Sequence, residues 1–120
     1  MYELTIGGDF AAAHFLAGYD GSCKELHGHT WKLEVTIQAE TLNEIGLVMD
    51  FQDLKKKLNV FLRQLDHGCL NHLPAFQKEN PTTENLARFI YQGFARDCAP
   101  FRVKHVRIWE SEKASVTYYE

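Results

Sequence analysis

The feature that most constrains this 120-residue chain is a strict alternation of apolar and polar side chains from Trp31 to Glu40. Successive side chains of a β-strand point to opposite faces, so the segment predicts a long strand with one apolar and one polar face. The apolar face has to be covered by another layer of the protein. The apolar positions are Trp31, Leu33, Val35, Ile37 and Ala39.

A second strand is predicted upstream of this segment, because residues 2–6 alternate in the same way. Gly7 and Gly8 interrupt the pattern, which predicts a β-bulge at that point. Beyond the glycines the apolar face resumes, and the strand ends at a histidine. The residues that share this face are Phe10, Ala12 and His14.

Two helices are predicted in the middle of the chain. Asp50 is a suitable N-cap for an apolar stripe that runs from Phe51 to Leu65, so the first helix is expected to end near Asp66–Gly68. Thr82 or Thr83 is expected to cap the second helix, and Pro100 stops it. The second apolar stripe consists of Leu86, Phe89, Ile90, Phe94 and Cys98.

Residues 101–110 and 114–119 read as two further strands around a polar turn. The predicted fold is therefore α+β, in the order ββααββ, with a four-stranded antiparallel sheet and two helices on one face. Residues 1–120 fit a single domain by length. Such a sheet leaves two unpaired edges, and closing them against other copies of the chain predicts an oligomer.

Composition excludes several classes of function. A net charge of −3 provides no basic excess for phosphates, so no nucleic-acid binding is expected. Glu3 and Asp9 interrupt the N-terminal apolar residues, so no signal peptide is evident, and no segment has the ~20 apolar residues of a membrane span. Three cysteines form no disulfide framework, which predicts a reducing, cytoplasmic location.

Three histidines are candidate metal ligands. His27 and His29 lie two residues apart with only a glycine between them, so both imidazoles point to one face of a strand. His14 ends the preceding strand, and an antiparallel pairing of the two strands would bring all three rings together. Three imidazoles with an open fourth position are typical of a catalytic zinc site. The alternative is a group of surface histidines near a turn.

Four further residues are candidates for chemistry. Cys23 lies four residues before His27 and could act as a metal ligand, a nucleophile, a base or an inert thiol. Asp66 and His67 could form a proton relay, or could mark a helix end at which the imidazole meets the helix dipole. Glu110 ends the third strand and by itself would be read as a solvated acid.

Several motifs, taken together and in this order, resemble the 6-pyruvoyltetrahydropterin synthase family over nearly the whole chain. The motifs are Phe10-Ala11-Ala12-Ala13-His14, Cys23 to His29, Val48-Met49-Asp50-Phe51, Leu65-Asp66-His67, Asn71, Pro81-Thr82-Thr83-Glu84-Asn85 and Trp109-Glu110. The short gap of three residues between Cys23 and His27 resembles the bacterial 6-carboxytetrahydropterin synthase branch of queuosine (7-deazaguanine) biosynthesis. The pyruvoyl-forming branch typically has a longer gap there.

The resemblance implies a role for each candidate residue. It implies zinc ligands at His14, His27 and His29, and a catalytic cysteine at Cys23. It implies that Asp66 and His67 complete the proton-transfer machinery. Glu110 would anchor the pterin ring, with Thr82 and Thr83 adding further contacts to it.

The resemblance also implies a fold and a reaction. The fold is the tunnelling fold, whose sheets close into a barrel, with two trimers stacked into a homohexamer and active sites between subunits. The reaction converts 7,8-dihydroneopterin triphosphate to 6-carboxytetrahydropterin, acetaldehyde and triphosphate. One alternative is a 6-pyruvoyltetrahydropterin synthase, which eliminates triphosphate without cleaving the side chain. Another is a non-catalytic pterin- or purine-binding module with a structural zinc.

Overall fold

The sheet is built around the predicted long strand. In the computed structural model, which describes residues 1–120, this strand is β2, His27–Ala39, and it pairs antiparallel with β1, Tyr2–His14, on one side. On its other side it pairs antiparallel with β4, Arg102–Ser111, which continues through a hairpin into β5, Ala114–Tyr118. The apolar positions Trp31 to Ile37 of β2 are buried, as the alternation predicts.

The sheet contains one strand more than the predicted four. β3 consists of only Gly68–Cys69 and pairs in parallel with the end of β1, so the five-stranded sheet is mixed and has the order β3-β1-β2-β4-β5. A two-residue strand has no alternation that a sequence pattern could reveal. The α+β class and the order of the longer elements are as predicted.

The predicted bulge at Gly7 and Gly8 is wrong. β1 pairs with β2 without a break from Tyr2 to His14. Glycine at position 8 instead gives room to α1, because a Cβ there would lie 3.0 Å from a methyl carbon of Leu62. Register shifts fall instead between Thr36 and Ile37, where β2 meets β4, and between Trp109 and Ser111, where β4 meets β5.

The first helix, α1, spans Phe51–Leu62, and its N-cap is the predicted Asp50, whose carboxylate accepts a hydrogen bond from Gln52 N–H. It ends before the predicted Asp66–Gly68, because the chain turns back there to meet β1. His67 N–H donates to Ala11 C=O, and the His67 backbone adopts a positive φ of 58° that a helix cannot contain.

The second helix, α2, spans Thr83–Asp97, and Thr82 is its N-cap through a hydrogen bond from Asn85 N–H to the threonine hydroxyl. Both helices pack on the apolar face of the sheet, α1 against β1 and α2 against β4 and β5, and form one core with it. Neither helix is long and apolar enough to span a membrane. The core residues contributed by the two helices are Leu54, Leu58, Leu62, Leu86, Ala87, Ile90, Tyr91 and Phe94.

Candidate metal centre and active site

The pairing of β1 with β2 brings the three predicted histidines together. His14 lies directly opposite His27 in the antiparallel register, and His29 is two residues further along the same face of β2. The ring centroids are 4.5 Å apart for His14 and His27, 4.7 Å for His27 and His29, and 5.2 Å for His14 and His29. Two strands of ordinary geometry are therefore sufficient to cluster the imidazoles.

Backbone carbonyl groups orient two of these rings. The Nδ1 atom of His14 lies 2.8 Å from Pro81 O, and the Nδ1 atom of His27 lies 2.7 Å from Glu25 O. A carbonyl oxygen only accepts, so each Nδ1 carries the proton and donates it. Each Nε2 is then left with its lone pair, which is the state an imidazole needs for binding a metal.

The cluster fits a metal ion. One ligand atom each from His14, His27, His29 and Glu110 can be chosen so that all four lie within 4.8 Å of one another. The Nε2 atoms of His14 and His29 are buried and have no hydrogen-bond partner. A buried polar atom without a partner is costly, and a bound cation would satisfy both nitrogens at once.

Electrostatics favours a neutral imidazole at His29. Burial lowers the pKa of the His29 imidazole below its ordinary value, and the neighbouring His14 and His27 lower it further. The carboxylate of Glu110 acts in the opposite direction. A lowered pKa keeps the imidazole unprotonated, and so able to bind a metal, at physiological pH.

Glu110 lies closer to the histidines than the sequence indicated. Its Oε1 atom is 3.0 Å from His29 Nε2 and 3.5 Å from His14 Nε2, although neither contact has the geometry of a hydrogen bond. Its Oε2 atom accepts a hydrogen bond of 3.2 Å from the Thr83 hydroxyl at the start of α2. Thr83 therefore fixes the carboxylate between the imidazoles and the neighbouring cavity.

A cavity of about 310 Å³ brings most of the predicted site residues together. Its volume is at the small end of the range for sites that bind small molecules. Cys23 reaches it from a short 3₁₀ turn, Ser22–Lys24. The residues that line the cavity are His14, Leu16, Cys23, Thr82, Thr83, Glu84, Glu110, Ala114, Ser115 and Val116.

Asp66 and His67 do not line this cavity. His67 Nδ1 lies 2.8 Å from an Asp66 carboxylate oxygen, and Asp66 also accepts a hydrogen bond of 2.9 Å from Ala11 N–H. The backbone bond from Ala11, followed by the contact with His67, lowers the pKa of the Asp66 carboxyl below its ordinary value. The His67 side chain is 83% exposed, in a shallow groove shared with Ala11 and Gly28. Within one chain the pair is thus separate from Cys23.

The sequence interpretation missed the backbone groups that hold the ligands. The carbonyl groups of Glu25 and Pro81 carry no side-chain signal, so residue patterns could not identify them. It also assigned no role to Asn71 or Asn80, which hold the loop after His14. Asn71 is among the residues that carry the family resemblance, whereas the role of Asn80 is visible only in the folded chain.

The fold and the site define a class of protein: an α+β fold with a three-histidine cluster that fits a metal ion, beside a cavity that contains a thiol and a carboxylate. Residues 3–120 match the family described as 6-pyruvoyl tetrahydropterin synthase, and the chain belongs to this family. Membership identifies the chain as a lyase of the tetrahydropterin synthase type, which confirms the sequence prediction.

Individual relatives carry different names. The chain is 38% identical over 112 residues to a putative 6-carboxy-5,6,7,8-tetrahydropterin synthase of Archaeoglobus fulgidus, covering 92% of this chain and 90% of that protein. It is 37% identical over 94 residues to the dihydroneopterin monophosphate aldolase of Pyrococcus furiosus, covering 78% and 77%.

Among solved structures, the Caenorhabditis elegans 6-pyruvoyl tetrahydropterin synthase superposes with a TM-score of 0.89 at 25% identity. The superposition covers 99% of this chain and 95% of the other. The tunnelling fold predicted for the single chain is confirmed by this agreement over its whole length.

Proposed function

We propose that this chain is a zinc-dependent lyase that converts 7,8-dihydroneopterin triphosphate and water to 6-carboxy-5,6,7,8-tetrahydropterin, acetaldehyde and triphosphate. The product would enter queuosine (7-deazapurine) synthesis. The observation that carries the proposal is the single cavity lined by Cys23, Glu110 and His14 of the histidine cluster. A carboxylate can hold the pterin ring, and a thiol next to a zinc-binding histidine cluster can move protons on the pterin side chain.

His14, His27 and His29 would hold the zinc through their Nε2 atoms, since two of the three Nδ1 atoms are occupied by carbonyl groups. Three nitrogen ligands are typical of a catalytic zinc site. A bound zinc ion would polarise the oxygen atoms of the substrate side chain. The chain's own residues supply the proton transfers and the recognition of the ring.

Cys23 is the proposed base for the substrate side chain, because its turn places it at the cavity beside the metal ligand His14. Glu110 is the proposed acceptor for the amino group and ring N–H of the pterin. Thr83 would hold that carboxylate in place through the observed hydrogen bond. Thr82 lines the same cavity and would contact the ring, although its hydroxyl also caps α2.

Asp66 and His67 are proposed to complete the site from a neighbouring subunit. The pair does not line the cavity of its own chain, and His67 is highly exposed, with Nδ1 next to the Asp66 carboxylate. Aspartate in this position orients the imidazole for proton transfer. The proposal therefore requires a homo-oligomer, and the family resemblance favours a hexamer built from two trimers.

Two other reactions compete with this one. The pyruvoyl-forming reaction would eliminate triphosphate and leave the carbon chain intact, but the short gap between Cys23 and His27 resembles the carboxy branch. An aldolase reaction on the monophosphate is suggested by the similarity to the Pyrococcus protein. It would leave the phosphate on the released two-carbon aldehyde.

Product analysis separates the three reactions. The zinc-loaded protein is incubated with dihydroneopterin triphosphate, and separately with the monophosphate, and products are identified by mass. We expect acetaldehyde and 6-carboxytetrahydropterin from the triphosphate. A pyruvoyl product, or turnover of the monophosphate alone with a phosphorylated aldehyde, would overturn the assignment in favour of the corresponding alternative.

A further inference from the structure

The position of Cys23 depends on a loop with little regular structure. The loop connects β1 to β2 and contains Gly18 in a left-handed conformation at φ 77°. Cys23 C=O accepts a hydrogen bond of 2.9 Å from Leu16 N–H, which ties the thiol-bearing turn to the start of the loop. The place of the thiol is therefore set by whatever fixes the backbone around Leu16.

Two asparagine side chains fix this backbone on either side of Leu16. Asn71 Oδ1 accepts from Phe15 N–H and Asn71 Nδ2 donates to Phe15 C=O, both at 2.9 Å. Asn80 Oδ1 accepts from Ala17 N–H at 2.9 Å and Asn80 Nδ2 donates to Ala17 C=O at 2.8 Å. Each side-chain amide thus satisfies both polar groups of one residue.

This arrangement copies the pairing of β-strands. In an antiparallel hydrogen-bonded pair, one residue exchanges an N–H and a C=O with its opposite partner, and such pairs recur every second residue. Asn71 and Asn80 supply the same donor and acceptor to Phe15 and Ala17, while Leu16 bonds in the other direction to Cys23. An ionised carboxylate, which only accepts hydrogen bonds, could not donate to the two backbone carbonyl groups.

Asn71 and Asn80, here called the two asparagine clamps, are themselves held by hydrogen bonds to their backbone carbonyl groups. The Gln77 side chain donates to Asn71 C=O at 3.0 Å, and the Asn85 side chain donates to Asn80 C=O at 2.9 Å. Asn85 lies in the first turn of α2, and Pro81, next to Asn80, accepts from the ring of His14. The segment that orients a metal ligand is therefore also the segment that positions the loop of Cys23.

We infer that Asn71 and Asn80 are positioning residues, which set the place of the Cys23 thiol beside the histidine cluster by fixing residues 15–17 as a strand-like segment. The catalytic consequence rests on the proposed function, whereas the structural consequence does not. The test therefore includes two structural readouts, hydrogen exchange and thiol alkylation, and one catalytic readout.

Asn80→Ala is the main test, because it removes one clamp and leaves the cluster and Asn71 untouched. We expect hydrogen exchange at the Leu16 amide to become about tenfold faster, since that amide reports the bond to Cys23. Alkylation of Cys23 by iodoacetamide should accelerate about threefold or more relative to Cys69 in the same molecule. With zinc retained, kcat per bound zinc should fall about 10–100-fold, and KM should change less than about threefold.

Asn43→Ala is the matched control. Asn43 also holds a loop through its side chain, which accepts from Ile45 N–H at 3.1 Å and Leu47 N–H at 2.9 Å, but that loop has no link to Cys23. The control should leave Leu16 exchange, Cys23 alkylation and kcat at their wild-type values.

The inference is overturned if Asn80→Ala matches Asn43→Ala in both Leu16 exchange and Cys23 alkylation. If Asn80→Ala does not fold, the wild-type protein decides: amides of residues 15–17 that exchange as fast as a free loop would contradict the clamp, and protected amides would support it. A wild-type protein inactive on dihydroneopterin triphosphate contradicts the proposed function alone, because exchange and alkylation still test the clamp.

Discussion

The histidine cluster is prepared for a metal by hydrogen bonds that fix which ring nitrogen is free. His14 and His27 each donate Nδ1–H to a backbone carbonyl, so their Nε2 atoms face the centre of the cluster. His29 is kept neutral mainly by burial. The arrangement removes the cost of choosing a tautomer when the metal binds.

We predict that His27→Ala and His29→Ala each lose most of the bound zinc, because each removes one of three nitrogen ligands. Metal content after dialysis measures the effect. His72→Ala is the control, since this exposed histidine lies outside the cluster and should leave one zinc per chain. Full occupancy in both cluster variants would rule the site out.

Replacing Cys23 and replacing Glu110 are expected to impair different steps, because the two residues are proposed to act on opposite ends of the substrate. Cys23→Ala should keep zinc and pterin binding but slow the proton-transfer step by about 10²–10⁴-fold. Glu110→Gln should weaken pterin affinity as well as rate, since the amide replaces one acceptor with a donor. The Thr83 hydroxyl contact would also weaken.

Binding measurements and single-turnover rates on both variants, with zinc content checked, test this difference. Near-normal single-turnover chemistry in Cys23→Ala would show that the thiol has no catalytic role. Unchanged pterin affinity in Glu110→Gln would show that the carboxylate does not hold the ring.

Asp66 gives a prediction about pH. Its pKa is lowered in the folded chain by the Ala11 N–H group and then by His67, so the ionised form is favoured in the native state. The resulting stabilisation is present above the ordinary carboxyl pKa and is lost as pH falls through the lowered, native value. Asp66→Asn should therefore lose less stability than the wild type on acidification. Denaturant unfolding across the acidic range measures this, and parallel pH curves for the two proteins would contradict it.

At the scale of elements, Asp50 caps the N-terminus of α1, and its contribution to stability can be tested without changing the histidine cluster or the cavity. Asp50→Ala removes the hydrogen bond to Gln52 N–H and should lower the free energy of unfolding by about 1 kcal/mol. Activity should not change, because Asp50 does not line the cavity.

The matched control for this cap is Asp53→Ala, in the first turn of the same helix. Asp53 interacts with the helix dipole but does not cap the helix, so its loss should cost only about 0.3–1 kcal/mol. Both variants are compared by denaturant unfolding at one protein concentration. A smaller effect for Asp50→Ala than for Asp53→Ala would contradict the assigned cap.

At the scale of the whole molecule, the proposed role of His67 at the Cys23 cavity predicts a homohexamer, because His67 does not line that cavity in its own chain. Light scattering at low micromolar concentration should give a mass about six times the 13.8 kDa of one chain. A stable monomer that turns over the substrate would contradict this prediction.

Mixing two inactive variants tests whether the site is shared. Cys23→Ala and His67→Ala subunits, dissociated and reassembled together, should recover about a quarter of wild-type activity, because some sites then receive both intact residues from different subunits. No recovery, despite confirmed mixed assembly, would show that each chain contains its own complete site.

The sequence alone predicted the features that arise from regular local geometry. The alternation around Trp31 predicted β2, and the same period of two placed His27 and His29 on one face beside His14. Asp50 was predicted as one helix cap and Thr82 as one of two candidates for the other, because capping depends on residues only two or three positions apart. In each case the period of the backbone determines which side chains meet.

Tertiary structure decided what depends on segments far apart in the chain. The pairing of β3 with β1 and the return of His67 to Ala11 ended α1 earlier than its apolar stripe suggested. Gly8 proved to leave room for the side chains of α1 and does not form a bulge. The clamps from Asn71 and Asn80 likewise join residues more than fifty positions apart. No local period encodes such contacts, because they exist only once the helices have packed on the sheet.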